Sequence, residues 1–208
     1  LVDQLSDDNK VAKMKTGDWA RVILAVEALG EDPGDFNGKN LFKNLADFSQ
    51  IDKSGWGMAT MAYILMGVGD RGDSVFGADE TIENPTTKEK LKKAIIDLYN
   101  TEKKCFNTND WYTYELVPDS DNSAYAVQAL APYYSSDDKV KVIIDNTLDT
   151  LTSEDFYDKD LGVKSFGFAN AASTAQVICA CLAVDKEKLA GFTKDEKTII
   201  DVLCEYFD

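Results

Sequence analysis

Hydrophobic positions along this chain follow two patterns that alternate. The first is a run of small and aliphatic residues that would be apolar on nearly every side of a helix, and it follows an aromatic or polar residue. It occurs at residues 18–25, 55–62, 121–130 and 172–180. A helix that is apolar all round is buried on every side. The repeated run therefore predicts four buried helices that pack closely against their neighbours.

The second pattern places hydrophobic residues on one side of a helix only. In residues 87–99, Leu91, Ile95 and Leu98 have the i, i+4, i+7 spacing of one helix face, and lysines take the opposite face. The sequence Thr-x-x-Glu, which caps helix starts, occurs at 86–89 and 193–196. We therefore predict amphipathic helices. The other segments of this kind are residues 38–48, 137–151 and 193–207.

The alternation of buried and amphipathic helices predicts two concentric layers. The fold class that follows is all-α, an α/α toroid, with one short irregular or hairpin insertion at residues 105–117, where helical spacing breaks down. A closed ring would need more helices than the pattern provides, so we expect an incomplete ring or one completed by neighbouring sequence. Residues 1–208 are predicted to form a single domain that is an excerpt of a larger protein.

The charge balance excludes several partners. The chain has 37 acidic residues against 22 basic ones, a formal net charge of −15, and this charge repels phosphate backbones and anionic lipid surfaces. Nucleic acid is therefore not an expected partner. No run approaches the roughly 20 apolar residues that span a bilayer, so we expect no membrane insertion by this segment. The first residues lack the features of a signal peptide, although one could precede them.

The residue types that are missing or rare limit the chemistry. The chain contains no histidine, which excludes imidazole general-base catalysis and Ser-His or Cys-His nucleophile pairs. Its four cysteines are too few for a disulfide scaffold in a chain of this size, and we expect packed thiols rather than a metal or redox pair. They are Cys105, Cys179, Cys181 and Cys204.

The residues at the start of each buried run indicate a candidate binding site. If the four helices run in the same direction, their N-termini share one rim, lined by aromatic, carboxylate and amide side chains over free helix N–H groups. The alternative is that the Asp and Asn residues only cap helices, while the tryptophans wedge adjacent repeats. The candidate ligand-binding residues are Trp19, Trp56, Asp121, Asn122, Tyr125, Phe168 and Asn170.

Two acidic motifs are weaker signals. Asp155, Asp158 and Asp160 before Gly162 hint at calcium, but the EF-hand spacing and its distal Glu are missing. We predict no other cofactor and no metal site. Residues 71–73, Arg-Gly-Asp, form the tripeptide that integrins read, and we interpret them as part of a polar turn.

Aromatic residues are dense in the insertion. Trp111, Tyr112 and Tyr114 occur within four positions. They could offer a stacking face to a sugar or a peptide, or pack the insertion onto the body of the domain.

The motif Asp-Ser-Asp-Asn-Ser-Ala at 119–124 starts one of the buried runs. Together with the two-layer repeat it resembles the squalene-hopene cyclase and prenyltransferase superfamily. More narrowly, the repeat segments look like prenyltransferase-repeat modules of Gram-positive surface proteins, which implies an extracellular or cell-wall location. The resemblance also includes vitamin B12 carriers of the intrinsic-factor type, which bind rather than catalyse. The segments that carry it are residues 19–25, 32–33, 40–41, 124–134 and 173–178.

In class II terpene cyclases the motif is Asp-x-Asp-Asp, and its central carboxylic acid protonates an alkene or epoxide. The resemblance makes Asp121 that acid, with Asp119 tuning it. Asn122 departs from the pattern and removes a carboxyl group that helps to hold a strong acid. Protein prenyltransferases need a histidine at their zinc site, and this chain has none.

Three hypotheses follow, and we favour a protein that is not an enzyme. The first is a non-catalytic module of an extracellular or cell-surface protein that binds a small ligand such as a corrinoid, a glycan or a surface protein at the rim. The second is a cyclase-like enzyme with Asp121 as general acid. The third is a structural spacer.

Overall fold

The computed structural model describes residues 13–207. Within that range the α-helices are α1 (Thr16–Ala28), α2 (Met58–Val68), α3 (Lys88–Asp97), α4 (Ser120–Leu130), α5 (Asp138–Leu151), α6 (Ala171–Val184) and α7 (Ile199–Cys204). The strands are β1 (Tyr99–Asn100), β2 (Cys105–Asn109), β3 (Leu116–Pro118), β4 (Tyr157–Asp158), β5 (Gly162–Ser165) and β6 (Phe168–Ala169). Shorter 3₁₀ helices are Leu41–Leu45, Phe48–Gln50, Gly55–Gly57, Asp73–Phe76, Ala131–Tyr133 and Lys186–Phe192.

The structure is mixed α/β, so the predicted all-α toroid is wrong. Two three-stranded antiparallel sheets, with strand orders β1-β2-β3 and β4-β5-β6, lie at the end of the helix predicted at 87–99, in the insertion predicted at 105–117 and in a connection between predicted helices. Their strands are two to five residues long. Such short strands leave no alternating pattern that hydrophobic periodicity can detect.

The two sheets occupy equivalent places in a tandem unit of helix, three strands and helix. The first unit runs from α3 to α4 and the second from α5 to α6. In each, the middle strand pairs antiparallel with both neighbours, and the last strand ends just before a buried helix. The sheets therefore position the starts of α4 and α6.

In the first unit, the hydroxyl of Ser123 joins the sheet to α4. The N–H of Phe106 donates to Ser123 Oγ (3.0 Å), and that hydroxyl donates to the carbonyl of Asp119 (2.7 Å). The N–H of Asp119 donates back to the carbonyl of Phe106 (3.0 Å). These bonds satisfy backbone groups that would otherwise be buried without partners.

The second unit repeats the arrangement with Thr174. The N–H of Val163 donates to Thr174 Oγ1 (2.9 Å), and that hydroxyl donates to the carbonyl of Asn170 (2.8 Å). A Cβ on Gly162 would lie 2.4 Å from this hydroxyl, so only glycine fits beside it. Of the four predicted buried helices, two follow a sheet, and the hydroxyl at this position distinguishes these two from the others.

The buried helices α1, α2, α4 and α6 form a row, here called the helix row. A Cβ on Gly17 would lie 3.1 Å from Thr60 Oγ1, and a Cβ on Gly67 would lie 2.5 Å from Ile23 Cγ2. The start of α1 thus lies beside the start of α2, and a later turn of α1, at Ile23, lies beside a later turn of α2, at Gly67. The two helices run in the same direction.

Contacts further along the row give the same direction. Tyr63 of α2 meets Tyr125 of α4 with ring centroids 5.4 Å apart, one turn or so after each helix begins. Gln128 Nε2 of α4 donates to Gln176 Oε1 of α6 (3.0 Å). The four buried helices among the described residues therefore run in the same direction, which is the condition for a shared rim, and their N-termini lie on one side.

The amphipathic helices α3 and α5 cover the row from outside. The α5 helix begins at the predicted place, with Asp137 accepting hydrogen bonds from the N–H groups of Lys139 and Val140. It buries Val140, Ile144 and other apolar residues on one face. Each such side chain contributes roughly 1.5–3 kcal/mol of burial free energy.

Two predicted amphipathic helices are shortened. Residues 38–48 form the 3₁₀ helix Leu41–Leu45, with Asn40 as its N-cap. In residues 193–207 the helix begins only at Ile199, because Thr198 and Asp201 form the capping box there. The predicted capping box at 193–196 is wrong, since Asp195 and Glu196 have positive φ in a tight turn that pairs Lys194 with Lys197.

The helix row is apolar but its members are short. The α2 helix has 11 residues, of which seven are buried. None of the helices between residues 13 and 207 combines the length and the hydropathy needed to cross a bilayer.

Candidate binding site

Asp119 is the N-cap of α4 and is almost completely buried, with 4% of its surface exposed. Its Oδ1 accepts from the N–H of Asn122 (2.8 Å), and its Oδ2 accepts from Ser165 Oγ (2.8 Å). Burial raises the pKa of this carboxyl above its usual value, and nearby Asp121 raises it further, although the hydrogen bonds oppose the shift. Asp119 thus ties α4 to the β5–β6 hairpin.

Asn122 ties α4 to two other segments. Its Nδ2 donates to the carbonyl of Gly55 (2.7 Å) and to the carbonyl of Asn107 (2.9 Å). The side chain is buried, and both amide hydrogens are used within the protein. The start of α4 therefore holds three segments together: the turn before α2, strand β2 and the β5–β6 hairpin.

Four exposed aromatic side chains lie in two places, the turn before α2 and the loop that follows strand β2. The Trp56 indole N–H donates to the carbonyl of Asn109 (2.8 Å). Trp111 stacks on Trp56 with centroids 5.5 Å apart and an interplanar angle of 25°, and the edge of Tyr114 meets Trp56 at 5.5 Å. The exposed fractions are 41% for Trp56, 66% for Trp111, 92% for Tyr112 and 66% for Tyr114. These four residues are called the aromatic surface below.

The loop that carries the aromatic surface is ordered by its own hydrogen bonds. Asp110 Oδ1 accepts from the N–H groups of Thr113 (2.8 Å) and Tyr112 (2.9 Å), and these bonds hold the pKa of Asp110 below its usual value. Asn109 Nδ2 donates to the carbonyl of Tyr114 (2.9 Å), and its Oδ1 accepts from the N–H of Gly55 (2.8 Å). The loop is thus fixed both internally and to the turn before α2.

Tyr114 and Phe166 both adopt backbone conformations that bulky residues avoid. Tyr114 has φ of 60° and Phe166 has φ of 49°. Phe166 and Gly167 form the two-residue turn between β5 and β6, and the neighbouring Phe168 is 78% exposed. Strained residues of this kind concentrate at binding and catalytic sites. The two turns that contain these residues, between β2 and β3 and between β5 and β6, also carry exposed aromatic side chains. The bonds of Asn122 to Asn107 and of Ser165 to Asp119 connect the strands beside these turns to the start of α4.

Three other predicted site residues make contacts outside the aromatic surface. Trp19 is 7% exposed and lines a cavity of about 350 Å³ with Gly38, Lys39, Asn40, Leu41, Lys43 and Asn44. Asn170 caps α6 by accepting from the N–H of Ser173 (2.8 Å). Tyr125 packs edge to face on Tyr63, and burial raises its pKa. None of these three contacts belongs to the aromatic surface.

Asp121 lies in the first turn of α4, where a carboxylate is favoured by the helix dipole. Its Oδ1 is buried and has no hydrogen-bond partner among residues 13–207. Tyr125 follows one turn later on the same helix face. On the neighbouring helix α2, Met58 and Met61 are completely buried.

The Arg-Gly-Asp segment is engaged within the protein. The Arg71 guanidinium pairs with Glu27 and with Asp32 (3.1 Å). Asp73 Oδ1 accepts from the N–H of Lys88 at the start of α3 (2.8 Å). Both charged side chains therefore connect loops to helices, as expected for a structural turn.

The aspartates considered for calcium shape a loop. Asp158 Oδ1 accepts from the N–H groups of Asp160 (2.9 Å) and Leu161 (3.0 Å), and these bonds hold its pKa below the usual value. Asp158 and Asp160 line a cavity of about 400 Å³ together with three lysines. In the described part of the chain, no group of three or more metal-ligating side chains has an arrangement that could hold an ion.

The cysteines divide into two classes. Cys105 and Cys181 are completely buried, and burial raises their thiol pKa values to about 11 and about 12. Cys179 and Cys204 are exposed. All four are free thiols.

Sequence reasoning named the aromatic residues but missed what holds them in place. Asn107, Asn109 and Ser165 lie in strands or at strand ends that the helical pattern did not predict. The amide residues at 107 and 109 alternate along β2, and this spacing is the one signal that could have revealed them.

Comparison with protein-family models, with curated proteins and with solved structures found no match to the chain.

Proposed function

We propose that this chain is a non-catalytic binding module that contacts its ligand or partner through the aromatic surface. The observation that carries the proposal is the exposure of Trp56 together with Trp111 and Tyr114, which pack on it, and of Tyr112 in the same loop. Single exposed apolar residues are ordinary, whereas clusters mark interaction sites. Trp and Tyr dominate the energetics of binding surfaces because they offer a large contact area with few rotatable bonds.

The order of the loop supports the proposal. Hydrogen bonds to Asp110 and from Asn109 fix the backbone of the loop without a ligand. The indole hydrogen bond of Trp56 and its ring contacts with Trp111 and Tyr114 hold those three rings. A surface that is ordered in advance loses little conformational entropy when it binds. A loop whose aromatic residues served only to pack it onto the domain would bury them instead.

The residue types available at the start of α4 also favour binding over catalysis. The chain has no histidine, and the two amide hydrogens of Asn122 are used within the protein. The resemblance to modules of surface proteins supports an extracellular or cell-wall location. It leaves a corrinoid, a glycan and a surface protein as classes to test.

One observation favours a second candidate, a cyclase-like enzyme. The Oδ1 of Asp121 is buried and has no hydrogen-bond partner among residues 13–207, so it is free to contact a substrate group. Product formation from a polyene such as squalene by the wild-type protein, and its loss in Asp121→Asn, would support this candidate. Absence of product from the wild-type protein would remove it.

The binding proposal is tested by thermal stability and tryptophan fluorescence. The panel contains cyanocobalamin, neutral oligosaccharides and short peptides of either charge. A bound compound raises the melting temperature by mass action, and it also changes the emission of the exposed Trp56 and Trp111. The double variant Trp111→Ala/Tyr112→Ala should lose both effects.

The matched control is Leu29→Ala. Leu29 is 69% exposed and follows the C-terminus of α1, whereas the aromatic surface lies at the N-terminal side of the helices in the row. This variant should respond like the wild type. A panel in which no compound changes either signal, or one in which the double variant responds fully, would contradict the proposal.

A further inference from the structure

The loop that carries Trp111, Tyr112 and Tyr114 is acidic, whereas the segment before Trp56 contains one acidic and one basic residue, Asp52 and Lys53. Residues 107–122 contain Asp110, Glu115, Asp119 and Asp121 and no lysine or arginine. The hydrogen bonds to Asp110 hold its pKa below the usual value, so it is fully ionised near neutral pH. The whole chain carries a formal net charge of −15. A ligand that approaches the aromatic surface therefore meets a negative potential.

The rings themselves add to this potential. Aromatic rings have a negative face and a positive edge, so their faces attract cations. The polar N–H of Trp56 is already bonded to the carbonyl of Asn109. Trp111 stacks on Trp56 by one face, and with 66% of its surface exposed it offers area to a ligand. Arginine and lysine over tryptophan form the strongest pairs of this kind.

Helix N-termini act in the opposite sense, because their free N–H groups favour anions. At the start of α4 this effect is largely used within the protein. Asp119 accepts from the N–H of Asn122, and its carbonyl accepts from the N–H of Ser123. Asp121 places a further carboxylate in the first turn. The helix end therefore does not reverse the sign of the surface.

We propose that the partner of the aromatic surface is a cationic polypeptide segment whose arginine or lysine side chains stack on Trp111 and Tyr112 beside Glu115. This inference rests on the proposed binding function and names the chemistry of its partner. Arginine, tryptophan and tyrosine are the residues most enriched in energetically dominant contacts. An anionic glycan would be repelled by the same carboxylates, and a neutral glycan would gain nothing from them.

The test uses N-acetyl tetra-arginine amide as the probe, with tetra-glutamate and chitotetraose as comparisons. Affinities are measured by isothermal titration calorimetry and by tryptophan fluorescence. Tetra-arginine should bind the full chain, and its affinity should fall about tenfold between 20 and 200 mM NaCl because salt screens the attraction. Tetra-glutamate and chitotetraose should not bind.

Matched variants separate a local site from attraction to the net charge. Trp111→Ala/Tyr112→Ala should weaken tetra-arginine binding about tenfold or more, as expected for loss of central aromatic contacts. Glu115→Gln, an exposed change that leaves the fold intact, should weaken it about two- to threefold at low salt. Leu29→Ala and Glu31→Gln, both exposed at the other end of α1, should bind like the wild type.

Each other outcome has a definite meaning. Equal weakening by Glu115→Gln and Glu31→Gln, or full binding by the aromatic double variant, would show attraction to net charge alone and would overturn the inference. Salt-independent binding of chitotetraose that needs Trp111 and Tyr112 would also overturn it, while the proposed binding function would stand. If no probe binds and no member of the wider panel changes the fluorescence, both proposals fail.

Discussion

Asp119 and Asn122 have different roles although they stand in one short acidic motif. Asp119 is an acceptor on both carboxyl oxygens, and Asn122 is a donor to two carbonyls. The sequence predicted that this motif begins a helix and that it is polar and important. It did not predict which residue is the cap, because Asp119, Asp121 and Asn122 are all good caps. Only the position of Ser165 and Gly55 in space decides the roles.

The raised pKa of Asp119 leads to a prediction at the residue scale. The folded protein binds this proton more tightly than the unfolded chain, so the stability that Asp119 contributes falls as pH rises from its usual pKa through its raised folded value. Asn keeps the cap and carries no buried charge. We therefore expect Asp119→Asn to be more stable than the wild type at pH 7, with the gain absent at pH 3.

Chemical denaturation at both pH values measures this effect. Asp119→Ala should be about 1 kcal/mol less stable than Asp119→Asn because it loses the cap. Asp70→Asn, which removes an exposed charge, gives the effect of the net charge alone. A loss of stability in Asp119→Asn at pH 7 would show that the ionised carboxylate is net stabilising, contrary to the prediction.

At the scale of elements, all four predicted buried runs form helices, and two of the four predicted amphipathic helices begin and end near the predicted residues. The helix predicted at 137–151 is Asp138–Leu151, and the one predicted at 87–99 is Lys88–Asp97. Long stripes of one-sided hydrophobicity carry that information. The β2–β3 hairpin lies in the insertion predicted at 105–117. The other strands are two to four residues long, too short for an alternating pattern to reveal them, and the hydroxyls that bond to the sheets, Ser123 and Thr174, lie in a following helix.

Asn122 connects elements, and its replacement by Asp tests that connection. The carbonyls of Gly55 and Asn107 both accept hydrogen bonds from Asn122, and a carboxylate at this position has no hydrogen to donate to them. We expect Asn122→Asp to lower the free energy of unfolding by about 3 kcal/mol, because it leaves both carbonyls unpaired and buries a charge. Asn122 thus acts as a donor to two segments, a role that a carboxylate cannot take.

Thermal and chemical unfolding measure the stability of this variant. Asp121→Asn, the neighbouring Asp–Asn exchange in the same helix turn, is the matched comparison and should change stability by no more than about 1 kcal/mol. Asn122→Asp with wild-type stability would mean that the two hydrogen bonds contribute little to holding the turn before α2.

At the scale of the whole molecule, the four repeated runs predicted the members of the helix row but not their common direction, and the net charge follows directly from composition. Several ion pairs among residues 13–207 are exposed on both partners, as in Lys93–Asp97, where both side chains are more than half exposed. Such pairs contribute little to stability. Repulsion among the excess carboxylates, which gives the chain its net charge of −15, is therefore the larger long-range effect.

Salt should therefore stabilise this protein. Raising NaCl from 20 to 300 mM screens the repulsion, and a gain of about 1 kcal/mol corresponds to a rise in melting temperature of roughly 2–4 °C for a chain of this size. Calorimetry over a salt series measures the change, and sucrose at equal osmolarity controls for solute exclusion. A melting temperature that falls with NaCl would mean that ion pairs outweigh the repulsion.

The tandem unit of helix, three strands and helix also affects the order in which the protein can form during synthesis. The bonds that close the first sheet, from Phe106 to Asp119 and Ser123, join residues fewer than 20 positions apart. The corresponding bonds at Val163 are as local. Contacts of short sequence separation favour fast folding, and domains fold as the chain emerges from the ribosome. The first unit can therefore complete its sheet before the ribosome has made the second.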